Sequence, residues 1–176
     1  MRTIILTFLL SAVGWCASYD PFLLNTQLSL LPKIAMLEKN GANSKSPFRI
    51  LITYDRSDEH TALLCSQILI RKFNGRFNSR SLTVNRLPFD KLDASGSYHL
   101  IYALKAELPQ LKKLLHTANT AGTMTALYDS DKLRESGFLL STHMERTPVI
   151  LINAKVLRGE QFSFPDNLLE MARLVE

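Results

Sequence analysis

The chain has 176 residues, of which 46% are hydrophobic and 21% are charged, and its formal net charge is +5. This length and composition bound it to one globular domain with a sizeable core. The charge is modest and spread out, and basic residues do not interleave with aromatic ones at strand spacing. No nucleic-acid partner is therefore expected.

The first eighteen residues differ in kind from the rest of the chain. "MRT" supplies one positive charge, "IILTFLLSAVGW" is an apolar run, and "CAS" offers small residues for cleavage. This pattern is typical of a signal peptide, and the run is shorter than the roughly 20 residues that span a bilayer. Cleavage fits after Ser18 or after Gly14, and a buried N-terminal element is the alternative. We expect an exported, periplasmic mature chain, residues 19–176, without a membrane span.

The sequence has two cysteines, Cys16 and Cys65, and neither a lipid anchor nor a disulfide is the favoured interpretation of them. Cys16 suggests a lipoprotein, but Trp15 stands where a small residue should precede it, so this alternative is the less favoured. After cleavage only Cys65 would remain, which excludes an intramolecular disulfide. Its setting in "TALLCSQILI" indicates a small buried residue rather than a reactive thiol.

The mature chain opens with a helical pattern. "DPFLLNTQLSLLPKIAMLEKN" predicts a helix with Asp20 and Pro21 as its cap and first turn, and Pro32 predicts a kink or a division. The apolar residues at helical spacing are Leu24, Leu28, Leu31 and Ala35.

Strands and helices then alternate. "FRILITYD" predicts a strand, "SDEHTALLCSQILIRKFNG" a helix capped by Ser57, and "SRSLTVNRL" and "YHLIYAL" two strands. "LPQLKKLLHTANTAG" predicts a helix and "TMTALYD" a strand. "GFLLST" and "PVILINAKVL" predict two strands joined by the polar turn "HMER", and "PDNLLEMARLV" a closing helix whose expected core residues are Leu168, Leu169 and Ala172.

This order predicts the fold class. It indicates a single three-layer α/β domain with a mostly parallel sheet, an antiparallel terminal addition and a C-terminal helix. The near-continuous apolar strands agree, because a central parallel strand is buried on both faces.

Candidate ligand-binding residues follow two of the strands. Tyr54 and Arg56 lie in the loop after the first strand, where open α/β sheets bind ligands, and could hold a small acidic or polar molecule. Asp58 lies at the predicted N-terminus of the next helix, and its negative carboxylate disfavours the binding of a phosphate at that position. Asp129 ends the fourth strand and could share a cation with Asp131, but calcium needs six to eight oxygens, so no metal site is expected.

The sequence offers little for catalysis. The seven glycines stand singly and form no phosphate-binding motif. The four histidines have neither the spacing nor the cysteine neighbours of a zinc site. His143 and Ser141 are close in sequence, but a serine nucleophile needs a base and an acid that converge in space. We therefore expect neither an enzyme nor a cofactor.

Asn153 lies in the strand "PVILINAKVL", inside an otherwise aliphatic run. A buried amide without hydrogen-bond partners costs about 1–3 kcal/mol, so its side chain is expected to bind nearby backbone and to act structurally. A ligand contact is the alternative.

The C-terminal segment carries a family resemblance. Its strand ends I-x-I-N at Asn153, and an alanine, a turn and the helix L-L-x-x-A-R-x-V follow. Together with "FLLNTQLSLLPKIAML", "FRILITYD" and "TALYDSDKLRESGFLLST", this arrangement resembles the YfiR/HmsC family of periplasmic proteins, most strongly over residues 137–176. Two features depart from the family. Its aromatic-Trp-Pro after the first helix is absent, and Tyr98 stands where a cysteine would precede His99, so control through disulfides is not implied.

The resemblance implies a regulator rather than an enzyme. Members of this family bind the periplasmic sensory domain of an inner-membrane diguanylate cyclase and hold it inactive, which keeps cyclic-di-GMP and biofilm formation low. The partners considered are that sensory domain and a second copy of this chain. The strand order also resembles one lobe of a periplasmic solute-binding protein, so the alternative is a small-ligand module that serves a transporter or a sensor kinase.

Two apolar groups are candidates for a partner surface. An amphipathic helix with surplus leucines on a small exported domain is a plausible docking face. The alternative is that these residues only cover the sheet. The candidates are Leu24, Leu28 and Leu31 in the first helix, and Phe138 and Leu140 at the antiparallel edge.

Overall fold

The chain forms one three-layer α/β domain, as the sequence predicts. The predicted signal peptide lies outside the described residues. The computed structural model describes residues 19–38, 46–92, 96–117, 122–159 and 162–176. None of the described helices is both long and apolar enough to cross a membrane.

Eight strands of the described residues form one sheet in the order β2-β3-β1-β4-β5-β6-β7-β8. The strands are β1 Phe48–Tyr54, β2 Arg76–Phe77, β3 Arg80–Pro88, β4 Leu100–Ala103, β5 Met124–Leu127, β6 Leu140–Met144, β7 Pro148–Asn153 and β8 Arg173–Val175. The α-helices of the described residues are α1 Pro21–Leu37, α2 Glu59–Lys72, α3 Leu108–Thr117, α4 Leu133–Ser136, α5 Ala154–Gly159 and α6 Asp166–Met171.

The pairing is parallel in the centre and mixed at both margins. Strands β3, β1, β4, β5 and β6 run parallel to one another. β7 is antiparallel to β6, with Leu140 opposite Ile152, and β8 is parallel to β7, with Ile152 opposite Leu174. At the other margin, β2 forms a hairpin with β3. The predicted parallel sheet with an antiparallel addition is confirmed, whereas β2 and β8 are not apparent from the sequence.

Both faces of the sheet are covered by helices. Helices α1 and α2 cover the face that bears Ile50 and Ile52, while α3 and α4 cover the face that bears Leu51 and Ile101. Successive strand residues point to opposite faces, so a strand covered on both sides must be apolar at every position.

This double coverage corrects the predicted partner surface. None of its five side chains is more than 6% exposed. The leucines of α1 pack on the sheet, and β7 and β8 extend the sheet beyond β6, so the residues near β6 are interior. The prediction that these residues face a partner is therefore wrong for Leu24, Leu28, Leu31, Phe138 and Leu140.

Three local predictions also change. α1 continues through Pro32 without division. The N-cap residue of α2 is Asp58 instead of the predicted Ser57, and a 3-10 turn, Arg56–Asp58, precedes the helix and is capped by Asp55, whose carboxylate accepts the backbone N–H of Ser57 at 3.2 Å. The closing helix ends at Met171, because the residues after it pair with β7 as the edge strand β8.

Gln27 is a fully buried amide on the sheet-facing side of α1. Its Nε2 donates to the carbonyl oxygens of Tyr128 at 3.0 Å and Thr142 at 3.2 Å. Its Oε1 accepts the hydroxyl of Tyr102 at 2.5 Å. One side chain therefore connects α1 to β4, to the end of β5 and to β6, and both of its donor hydrogens are used.

We predict that Gln27→Leu lowers the free energy of unfolding by about 3 kcal/mol, because it leaves the buried hydroxyl of Tyr102 without its acceptor and removes two donors to carbonyls. Gln67→Leu on the exposed side of α2 is the matched control and should change stability by less than about 0.5 kcal/mol. Urea denaturation measures both. Equal stabilities for the two variants would contradict the role assigned to Gln27.

Asn153, 3% exposed, binds backbone groups on two elements. Its Nδ2 donates to the carbonyl of Leu133 in α4 at 3.1 Å. Its Oδ1 accepts the N–H groups of Lys155 at 3.1 Å and Val156 at 3.3 Å. The amide thus joins the end of β7 to α4 and satisfies N–H groups in the first turn of α5.

We predict that Asn153→Leu lowers the free energy of unfolding by about 2 kcal/mol, because the carbonyl of Leu133 and the first turn of α5 lose their partners. The measurement is thermal and urea unfolding of the purified domain. A variant with an unchanged melting temperature would show that these hydrogen bonds carry no net stability.

Candidate functional site

The candidate site lies at the carboxyl ends of the parallel strands. β1 is flanked by β3 on one side and β4 on the other, and α2 and α3 cover opposite faces of the sheet. The strand order therefore reverses between β1 and β4, because the chain adds β3 on one side of β1 and then continues from β4 on the other side. In open α/β sheets the ligand crevice lies at this switch point, between the loops that follow the two strands.

Tyr19 fills the crevice between these loops. Its hydroxyl donates to Oδ2 of Asp58, after β1, at 2.6 Å. The hydroxyl oxygen of Tyr19 also accepts the backbone N–H of Lys105, after β4, at 3.0 Å. A polar atom of the chain itself therefore bridges the two loops that would otherwise hold a ligand.

Further contacts hold the segment around Tyr19 in place. Its ring meets the ring of Tyr128 edge-on, with centroids 4.9 Å apart. Nζ of Lys105 lies 5.3 Å from the centroid of Tyr19 and 5.6 Å from that of Tyr128, within cation–π range. The backbone N–H of Asp20 donates to the hydroxyl of Tyr128 at 2.8 Å, and its carboxylate caps α1 through the N–H groups of Phe22 and Leu23.

The phenols of this region are held in their neutral form. Burial raises the pKa of Tyr19 well above its usual range, and the hydrogen bond to the Asp58 carboxylate raises it further. Burial also raises the pKa of Tyr128 and of Tyr102. The region therefore offers hydrogen-bond donors and aromatic faces at neutral pH, but no phenolate.

The three predicted ligand-binding residues lie at this end of the sheet but make separate contacts. Tyr54 is buried in the core. Arg56 is exposed and pairs with Asp90 at 2.6 Å, which links the loops after β1 and β3 and lowers the pKa of that carboxyl. Asp129 lies 3.5 Å from Nζ of Lys132. No contact brings Tyr54, Arg56 and Asp129 together.

Sequence reasoning missed the residues that do meet there. Tyr19, Lys105 and Tyr128 each lie outside a regular element, so no periodic pattern marks them. Lys105 lies two residues after the end of β4 and Tyr128 one residue after the end of β5, so the rule used for Tyr54 and Arg56 would have selected them as well. Tyr19 precedes α1 and follows no strand, so only the folded position of the segment before α1 shows that it contacts Lys105 and Tyr128.

The described residues contain no group of three or more metal-ligating side chains. Oγ of Ser130 and Nδ1 of His143 lie 3.2 Å apart on the surface, but within the described chain no carboxylate hydrogen-bonds to this histidine, as an activated serine requires. Cys65 is fully buried, and burial raises the pKa of its thiol to about 12, so the reactive thiolate is scarce at neutral pH.

No protein-family model matches the chain, and no curated protein matches it. Among solved structures, it is similar to a conserved domain protein from Vibrio cholerae, with a TM-score of 0.58 and 12% identity over 87% of this chain and 60% of the other. It is also similar to an ABC domain in complex with L-Trp from Streptococcus pneumonia, with a TM-score of 0.56 and 11% identity over 88% of this chain and 62% of the other.

These likenesses establish the fold. The domain is a single α/β domain whose sheet is mostly parallel with antiparallel pairs at its margins, as the sequence predicts. The chain spans about three fifths of the length of the two solved proteins.

We predict that the domain loses stability as the pH rises above about 10, where phenols of the unfolded chain ionise. The raised pKa values of Tyr19, Tyr102 and Tyr128 keep the folded chain protonated there, so the stabilisation is complete below that pH and is lost above it. Tyr19→Phe should cost about 1 kcal/mol at pH 7 and should make the alkaline loss less steep.

Urea unfolding of both proteins between pH 7 and pH 11 measures this difference. If the free energies of unfolding of the wild type and of Tyr19→Phe fall with pH at the same rate, the claim that the fold keeps the Tyr19 phenol protonated is contradicted.

Proposed function

We propose that this chain is a non-enzymatic periplasmic regulator that binds the periplasmic sensory domain of an inner-membrane diguanylate cyclase and holds it inactive. The observation that carries the proposal is an exposed apolar edge of the sheet, formed by Met171 and β8. This surface is the β8 edge.

The β8 edge has the properties of a protein-binding surface. Among the described residues, β8 is the last strand of the sheet and pairs only with β7, so no described strand pairs with its outer side, where a strand of another protein could add. Met171 is 67% exposed and Leu174 is 51% exposed. The ion pair between Arg173 and Glu145, at 2.8 Å, ties β8 to the turn between β6 and β7. A strand from a partner can add to such an edge, with apolar side chains giving specificity.

The closed crevice also favours a protein partner. Tyr19 occupies the position where a binding domain of this fold holds its ligand. A small solute would have to displace two hydrogen bonds and an aromatic contact before it could bind there. A protein partner at the β8 edge requires no such displacement.

The choice of a diguanylate cyclase as the partner rests on the sequence resemblance. The resemblance to the YfiR/HmsC family is strongest over residues 137–176, and this stretch contains β6, β7, α6 and β8. The segment that resembles the family is thus also the segment that builds the proposed surface.

The second candidate is a solute-binding module for a transporter or a sensor kinase. One observation favours it: the similar ABC domain from Streptococcus pneumonia was solved in complex with L-Trp. A solute that binds the native state alone raises the apparent stability, so a metabolite that raises the melting temperature of Tyr19→Ala more than that of the wild type would support this candidate.

We predict that the double variant Met171→Glu and Leu174→Glu stays folded but no longer represses the cyclase, because two buried carboxylates would be unpaired in the complex. The level of cyclic-di-GMP in cells should rise severalfold, to that of a strain without the protein. The control is Leu64→Glu, a similar change at an exposed leucine of α2, which should repress normally.

Circular dichroism first establishes that both variants fold. Normal cyclic-di-GMP with the double variant would remove the β8 edge from the proposal. Unchanged cyclic-di-GMP on deletion of the whole protein would remove the regulatory function.

A further inference from the structure

A second concave surface lies at the opposite end of the sheet from Tyr19. It is a groove of about 540 Å³ between the C-terminal ends of α1 and α2 and the β2–β3 hairpin. This volume falls within the range of small-molecule sites. It shares no lining residue with the crevice at the carboxyl ends of the strands.

The charged residues that line this groove are all cationic: Lys33, Lys72 and Arg76. No Asp or Glu is among its described lining residues, and none of the three cations has an ion pair with a described residue. Nζ of Lys72 donates to Oδ1 of Asn25 at 3.2 Å and to Oγ of Ser29, so its ammonium is held against α1. Like charges around a concave surface repel one another and attract an anion.

The groove also has an apolar floor. Met36 and Phe77 are buried beneath it, and Phe73 meets Phe77 edge-on with ring centroids 4.6 Å apart. Leu37 is 46% exposed beside them. The apolar surface that the groove exposes comes mainly from Leu37 and the half-buried Phe73, and an anion alone would leave it in water, so the lining suits a molecule with an apolar body and a charged end.

The backbone around the groove is held in an uncommon conformation. Asn74 and Asn78, which line it, have φ values of 49° and 45°, and the adjacent Ser79 has a φ of 68°. The N–H of Gly75 donates to the carbonyl of Ile70 at 2.9 Å and closes the end of α2. Asn78 and Ser79 form the two-residue loop of the β2–β3 hairpin, where a type I′ turn requires positive φ at both positions, so the turn and the end of α2 define the wall of the groove.

We propose that this groove binds an amphipathic monocarboxylate, with the carboxylate between Lys33 and Arg76 and the apolar body against Phe73 and Phe77. A guanidinium offers paired donors that match the two oxygens of a carboxylate. The concave shape selects a single soluble molecule over a flat lipid surface. This inference is independent of the regulatory function proposed above.

The test uses decanoate as the probe and isothermal titration calorimetry of the mature chain. Decanoate should bind, and the double variant Lys33→Gln and Arg76→Gln should bind it at least tenfold more weakly. Lys113→Gln, a similar change at an exposed lysine of α3, should bind as the wild type does. Affinity should fall as salt is raised, because the contacting charges are near the surface.

Three results would overturn the proposal. The first is equal affinity of the wild type and the double variant for decanoate. The second is equal affinity of the wild type for decanol, which has the same body without the charge. The third is binding to phosphatidylglycerol vesicles without binding to monomeric decanoate, which would make the groove a membrane contact. Thermal melts establish that every variant is folded.

Discussion

The buried amide of Gln27 fixes how the N-terminal helix lies on the sheet. The leucines of α1 bury apolar area, but this driving force has no direction and tolerates a shift along the sheet. The three hydrogen bonds of Gln27 permit only one position, because its donors must reach carbonyls beyond β5 and in β6 while its oxygen meets the hydroxyl of Tyr102. A shifted helix would leave these buried groups unpaired.

The placement of α1 determines the position of Tyr19 and Asp20, which precede the helix, at the carboxyl ends of the strands. The residues just before the helix reach the switch point between β1 and β4, where Tyr19 bonds to both loops. Asp20 caps the helix through its carboxylate and joins Tyr128 through its N–H. The switch point, where open α/β sheets bind ligands, is therefore bridged by Tyr19 of the chain itself, which is why the proposed function is assigned to the β8 edge.

The sequence predicts the central architecture well because its physical signals are strong and local. Strands β1 and β4 are apolar at nearly every position, as burial on both faces requires, and the pair Asp20 and Pro21 marks the start of α1. The edge strand β8 cannot be predicted from the sequence, because a strand of three residues is too short to show an alternating pattern. Its existence depends on β7 offering an unpaired side.

The candidate site is less predictable, for reasons that the residues make clear. Helical spacing shows that Leu24, Leu28 and Leu31 share a face, but only the tertiary structure shows that the sheet covers it. Gln27 lies on that same face, and a polar residue among leucines was the available sign of a buried amide. Tyr19 has no sequence signal, because its partners come from loops 39 and 86 positions away.

The most direct test is hydrogen exchange of residues 19–176, measured with and without the purified periplasmic domain of the proposed diguanylate cyclase partner. Docking at the β8 edge predicts slower exchange of the amides of 171–175 in the complex and unchanged exchange in the loops 55–58 and 104–107. Protection of those two loops, with no change at 171–175, would contradict it and would place the binding surface at the switch point instead.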